Sequence, residues 1–258
     1  FTNYNAPYYL EHLTRLGYRK DVDWIEYRIT VPEPGGAEAE RLHKLSEFIL
    51  KRKHLHVATV HHKSEYGPFV RQVFELVNAA YAPLYGVVEL SDEQIERYAN
   101  KFIPLVDPDF VCFVVDEQDQ LVAFGVTALD PSVALKHSDG RLFPFGWAGV
   151  LNDLHHSDTL IMLLTAVRPD LQAEGINAVM MDHVCQSCNR HGVRFAETGP
   201  MLELNDHILA QWKRLEKEQH KRRRCFIKDL DHGINAANAA AAAQAEAPEA
   251  APAAESAE

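Results

Sequence analysis

Cysteine is scarce in this chain. Four thiols among 258 residues, Cys112, Cys185, Cys188 and Cys225, are too few to staple a protein of this length, which excludes a disulfide scaffold and favours a reduced, cytoplasmic setting. No apolar run approaches the ~20 residues that a membrane helix needs, and no stretch has the layout of a secretory leader, so no membrane partner is expected. Positive charge is short as well. Lys and Arg number 26 against 37 Asp and Glu, a formal charge of −11, which argues against wholesale nucleic-acid binding and leaves room only for a local basic patch. An initiator methionine is lacking too, and the abrupt start Phe1-Thr2-Asn3-Tyr4-Asn5 reads as a fragment or a processed product.

What is present suffices for a core. With 47% hydrophobic residues the chain can fill one or two domains. Residues 7–16 read as a helix stopped by Gly17, and Trp24-Ile25-Glu26-Tyr27-Arg28-Ile29 as an aromatic, β-branched strand. Pro32-Glu33-Pro34-Gly35-Gly36 breaks the chain before a connector helix over 37–53, with Leu42, Leu45, Phe48 and Ile49 on one side. A fuller series begins at His54. It opens with a strand over 54–60 and a helix carrying Val70, Val73, Phe74, Val77, Ala80 and Tyr81 at helical spacing. A second helix starts at Ser91, with Gln94 completing a capping-box pattern, and turns Ile95, Tyr98 and Phe102 toward a core.

Strands over 110–115 and 121–126 flank the polar turn 116–120, a hairpin of ordinary loop length. A loop-rich stretch with Gly140, Pro144, Gly146 and Gly149 leads to the charge-free strand 159–167 and a helix to about Arg190. Then come a strand over 193–198, a last helix from about Asp206 to Glu218, and a basic strand over 223–228. The sum is an α/β fold with a mixed, mostly antiparallel central sheet flanked by helices. From Ala236 onward no large apolar residue occurs, and 231–258 reads as a disordered Ala/Glu/Pro tail.

The most informative stretch joins the 159–167 strand to its helix. A strand that enters a tight loop and then a helix leaves backbone N–H groups free at the helix start, where the helix dipole also attracts anions. Gly175 allows close approach, Gln172 can donate from its side chain, and the amides of Ala173, Glu174, Gly175, Ile176, Asn177 and Ala178 can wrap a diphosphate as a nest. An ordinary strand-to-helix connection is the other reading of the same residues.

Gln172-x-x-Gly175-x-Asn177-Ala178 after Ala166-Val167-Arg168-Pro169 resembles the coenzyme A loop of the Gcn5-related N-acetyltransferase superfamily, Gln/Arg-x-x-Gly-x-Gly/Ala. The order of elements over 54–230 is similar to that family's course as well. The departure is Asn177, where the family has glycine or alanine; Asn tolerates unusual backbone angles better than most residues. The resemblance implies the acyl-CoA N-acyltransferase fold, acetyl-CoA as cosubstrate, and transfer of its acetyl group to a small-molecule or peptide amine. It places Ala166, Val167, residues 172–178 and Asn205 against the cofactor. Residues 1–31 then look like the last helix and strand of a preceding acetyltransferase-like domain in a tandem protein; a helix and strand added to the single complete domain is the alternative.

Acetyl transfer from a thioester needs a neutral amine, a polarised carbonyl and a proton for the departing thiolate. The resemblance implies that backbone around Leu164, Thr165 and Ala166 positions the thioester. The family's usual acid, a tyrosine in the last helix, has Trp212 in its place, and an indole releases no proton at working pH. Hence the alternative to an enzyme is a catalytically weak or inactive acyl-CoA sensor or assembly module. For the base, Glu197 near a strand end is the first choice and Glu203 the second, each also readable as a solvated or structural carboxylate. Asn205 is equally readable as a helix cap.

Two clusters invite other chemistry. His183, Cys185, Cys188 and His191 spread over ~200° of a helix that turns ~100° per residue, so they cannot converge on one metal ion and read as packing residues. His220-Lys221-Arg222-Arg223-Arg224 is either an anion site or a solvated helix-strand junction.

Overall fold

The computed structural model describes residues 4–103 and 106–230. The tail expected over 231–258 lies outside the described residues. The chain forms two compact units, one made of residues up to 23 with those from 224 on, the other of residues 24–223.

In the smaller unit α1 (Tyr8–Arg15) precedes the start of β1 (Arg19–Thr30), and the end of β8 (Lys217–Ile227) returns beside it. Gly17 takes φ +81 in the turn between them, a conformation that costs glycine little. Lys228 donates to the Leu16 carbonyl at 2.7 Å. Arg224 grips the fully buried Asp23 through two bonds of 2.8 and 2.9 Å, the fork geometry that suits a carboxylate.

In the larger unit the elements are α2 (Ala37–Lys53), β2 (His56–Val57), α3 (Gly67–Tyr81), α4 (Asp92–Phe102), β3 (Val111–Val115), β4 (Leu121–Leu129), α5 (Ser132–His137), α6 (Gly146–His156), β5 (Thr159–Val167), α7 (Asn177–His191), β6 (Phe195–Glu197), β7 (Met201–Leu202) and α8 (Asp206–Ala210). The sheet runs β2-β3-β4-β5-β6-β1-β7, with β8 also paired to β1. Among the described residues of this path only β5 and β6 pair in parallel; β1–β6, β1–β7, β2–β3, β3–β4 and β4–β5 are antiparallel. The mixed, mostly antiparallel sheet flanked by helices is therefore present.

Helices on both faces explain why all five residues of β3 are buried. Cys112 and Val114 pack with α2 and α7, while Phe113 and Val115 pack with α3. Ser91 caps α4 as its box pattern requires: its hydroxyl accepts from the Gln94 N–H at 3.4 Å and its own N–H reaches Gln94 Oε1 at 2.9 Å.

Three expectations need correction. The glycine-bearing stretch before β5 holds two helices, α5 and α6, because Asp153 on α6 accepts the Ala134 amide of α5 at 2.7 Å and ties the pair together. The last helix ends at Ala210, not Glu218, and β8 starts at Lys217. There Lys221 and Arg223, two apart and so on one strand face, both meet Glu26 of β1, and cross-strand pairing outweighs the helix propensity of a Lys/Glu/Gln run. The basic cluster is thereby ion-paired strand, neither a helix-strand junction nor a free anion site. In the sheet, Arg28, Ile29 and Thr30 of β1 pair with Glu197, Ala196 and Phe195 of β6.

Candidate functional site

β5 pairs with β4 along its length, from Leu160 opposite Leu129 to Val167 opposite Ala123, but with β6 only at Thr159, Leu160 and Ile161. Among the described residues no strand pairs with its second edge beyond Ile161. A bulge sits in the same stretch: Leu164 faces Val126 and Met162 faces Thr127, so Leu163 has no partner on β4 and is 43% exposed. Bulges re-aim side chains and end pairing beside functional clefts. Leu164, Thr165 and Ala166, singled out from the sequence, all fall on this open stretch.

After Val167 the chain makes one tight helical turn, Pro169–Leu171, and then the loop. Ala173 and Gly175 take φ +63 and +85. α7 starts at Asn177 without a side-chain cap. Among the described residues, the N–H groups of Ala173, Glu174, Gly175, Ile176 and Asn177 make no well-formed hydrogen bond to a protein acceptor. Ala178 differs, because its amide donates to the Gly175 carbonyl at 2.8 Å. Gln172 spends its side-chain amide on the Val167 carbonyl at 3.2 Å and so fixes the strand end. Ala166 and Val167 are buried just upstream.

Gly175 has a further constraint that its sequence context hides. A Cβ there would lie 2.9 Å from Ile49 Cδ1 of α2. α2 also walls a groove of about 450 Å³ against the loop, lined by Phe48, Arg52 and Lys53 on one side and Ala173, Glu174 and Gly175 on the other. Lys53 pairs with Glu174, and the Arg52 guanidinium stands 5.9 Å from the Phe48 ring. The basic end of the expected connector helix thus faces the loop; its signal in the sequence was the run Lys51-Arg52-Lys53, a turn after Phe48.

Tyr81 closes α3. Its hydroxyl donates to the Thr165 carbonyl at 2.8 Å, on the open stretch of β5. Burial raises this phenol above its ordinary value, with the Thr165 bond opposing, so it holds its proton at neutral pH.

The remaining site residues scatter around this centre. Glu197 is the last β6 residue paired to β5, opposite Ile161, where the strands part. Lys221 Nζ stands 2.7 Å from it and His220 Nδ1 3.7 Å. Burial lowers the Lys221 ammonium, but the bonds and attraction of Glu197 and Glu26 prevail and raise it overall. Glu203 pairs with Arg222 at 3.4 Å. Asn205 caps α8, accepting from the Ile208 N–H at 3.2 Å. Trp212 is buried with Ile29 and Met201, its indole N–H on the Met201 sulfur at 3.1 Å, which makes it a core residue.

The His/Cys cluster on α7 forms no group of three or more metal-ligating side chains among the described residues. Cys185 and Cys188 are buried, and His191 bonds Asp109 at 2.7 Å. No described helix is long and apolar enough to cross a membrane.

No family model matches the chain. Protein YghO of Escherichia coli K12 is 24% identical over 233 residues, which cover 88% of this chain and 58% of that protein. The chain therefore spans less than two thirds of that relative. A GCN5-related N-acetyltransferase from Sphaerobacter thermophilus superposes with a TM-score of 0.53 at 15% identity, covering 86% of this chain and 56% of the other. The glucosamine N-acetyltransferase region of a fungal multi-domain GH3 β-N-acetylglucosaminidase superposes at 0.52 and 11% identity, over 84% of this chain and 22% of that one. The chain has the GCN5-related N-acetyltransferase fold.

Proposed function

We propose that the chain is an acyl-CoA-dependent N-acyltransferase. The observation that carries this reading is the run of five unspent amides, residues 173–177, at the start of α7 and directly below a strand whose second edge is open. Aligned N–H groups at a helix start suit a diphosphate. The open edge offers backbone groups to a thioester arm laid along β5, and Arg52 adds positive charge beside the loop.

In the reaction the amine nitrogen bonds the thioester carbon, the carbon-sulfur bond breaks, the amine gives up one proton and the thiolate gains one. Tyr81 is our choice for the donor, since burial keeps its phenol protonated and its hydroxyl sits on the open stretch. Glu197 remains our choice of acceptor, paired with Lys221 at the point where β5 and β6 part. The second reading, an acyl-CoA sensor or assembly module, is favoured by Trp212, which is core in place of a phenol.

Thermal shift with free CoA and acetyl-CoA, followed by thiol release over a panel of amines, tests both. The enzyme reading expects about 2.7 kcal/mol of stabilisation at a hundredfold excess over Kd and thiol release with at least one amine. Stabilisation without release from any amine selects the sensor, and no binding of CoA sinks both.

A further inference from the structure

α4 is amphipathic, and its sequence turns Ile95, Tyr98 and Phe102 toward a core, yet none of its residues is buried. Tyr98 and Phe102 remain 40% and 44% exposed. They look onto a pocket of about 390 Å³ between α3, α4 and the sheet, within the ~300–1,000 Å³ typical of small-molecule sites. Its floor is Leu163 and Leu164 of β5, Val126 of β4, and Val111 and Phe113 of β3.

At the β3 end stands Tyr66, 4% exposed and edge-on to Phe113 at 6.0 Å, with no hydrogen-bond partner for its hydroxyl among the described residues.

Leu163 and Leu164 belong both to this floor and to the open stretch of β5. A group attached to a thioester on that stretch would enter past them and cross two strand spacings, about 10 Å, to reach Tyr66. The lining side chains are aliphatic or aromatic throughout, so a charged amine would lose its water there with no counter-charge, whereas hydrocarbon gains from the burial. Resting on the acyl-CoA reading above, we propose that this pocket holds the acyl chain, and that the acyl group transferred is a medium-to-long hydrocarbon chain in preference to acetyl.

The test is direct titration of the full chain with free CoA and with acetyl-, butyryl-, octanoyl- and dodecanoyl-CoA. Affinity is expected to rise by up to about fourfold per methylene, level off when the pocket is full, and exceed that of acetyl-CoA by on the order of a hundredfold at octanoyl. Ala99→Phe, on the half-exposed α4 wall, fills the pocket and should flatten the series while free CoA binds as before. Leu163→Glu, on the exposed side of the floor, should also flatten the series without a demand on the core. Equal affinity from acetyl to dodecanoyl with normal binding of free CoA overturns the chain proposal alone. Failure of free CoA to bind overturns the acyl-CoA reading and this proposal with it. A series that keeps its slope in both variants places the chain elsewhere. A concentration-dependent dimer broken by Leu163→Glu assigns the pocket to a second copy, and that also overturns it.

Discussion

A carboxylate at Asn177 sets the needs of the helix against those of a ligand. The residue is exposed at the first position of α7, where no side chain caps the free amides. Asn177→Asp puts a negative charge at the positive end of the dipole and should stabilise the fold by about 0.3–1 kcal/mol. The same charge repels a diphosphate, so CoA affinity should fall at least about tenfold, a 1.4 kcal/mol penalty. Calorimetry beside a thermal melt reads both signs; a variant that gains stability and affinity together would remove the diphosphate from these amides. Gly175 has two owners. At φ +85, with Ile49 Cδ1 2.9 Å from a notional Cβ, Gly175→Ala should cost about 1–3 kcal/mol, and less in an Ile49→Ala background, a coupling that a double-mutant cycle measures. For Tyr81→Phe, the proposed proton donor to the thiolate is lost while the packing ring stays. kcat should fall about 10²-fold with KM little changed, and the decline of wild-type activity above the ordinary phenol range near pH ~10 should vanish from the variant. An unchanged kcat would return Tyr81 to a purely structural place.

The docking of α2 on α7 carries a proton-linked contact. His43 Nδ1 lies 3.0 Å from Asp182 Oδ2, with Glu47 on the other side at 3.6 Å from Nε2, while Asp182 itself is buried. The hydrogen bond to Asp182, then its charge, raises the His43 imidazole above 6.5. A raised histidine stabilises the fold fully below its unfolded pKa of ~6.5 and loses that contribution as pH climbs through the folded value. Urea unfolding at pH 6 and pH 8 should therefore show a larger loss for the wild type than for His43→Gln; equal losses would mean the contact does not titrate. Elements differ in how far the sequence reveals them. The β3–β4 hairpin, the α4 cap and the β5-loop-α7 unit are each specified within a few neighbouring residues, and all were legible. The first half of β8 was not: its end from Arg223 reads as a strand, but Lys221 meets Glu26 of β1 only through the fold, and nothing local distinguishes 217–222 from a helix. Distance along the chain also hid half of the candidate site: Tyr81 meets Thr165 across 84 positions, and α2 meets the loop only through the fold, whereas the amides of the loop are a local property.

At the scale of the molecule, the thiols report on the integrity of the core. Cys112 and Cys188 are fully buried and Cys185 is 8% exposed, whereas Cys225 on β8 is partly accessible. Burial pushes the Cys112 and Cys188 thiols up to about 12 and Cys185 up to about 11. The thiolate is the reactive species, so burial and protonation protect the same three residues. Ellman titration at pH 8 should find one thiol in the folded chain and four in denaturant. The sign of the alkaline dependence follows from the raised values. The fold favours the protonated thiols, so their contribution is complete below the unfolded value near ~8.5 and disappears as pH rises toward 11 to 12. Three further thiols should then react in step with loss of the circular-dichroism signal, and free CoA, if it binds the folded chain, should delay both by mass action. Labelling of a second thiol while the dichroism stays native would show that the sheet core opens locally and that burial does not hold those sulfurs as the geometry requires.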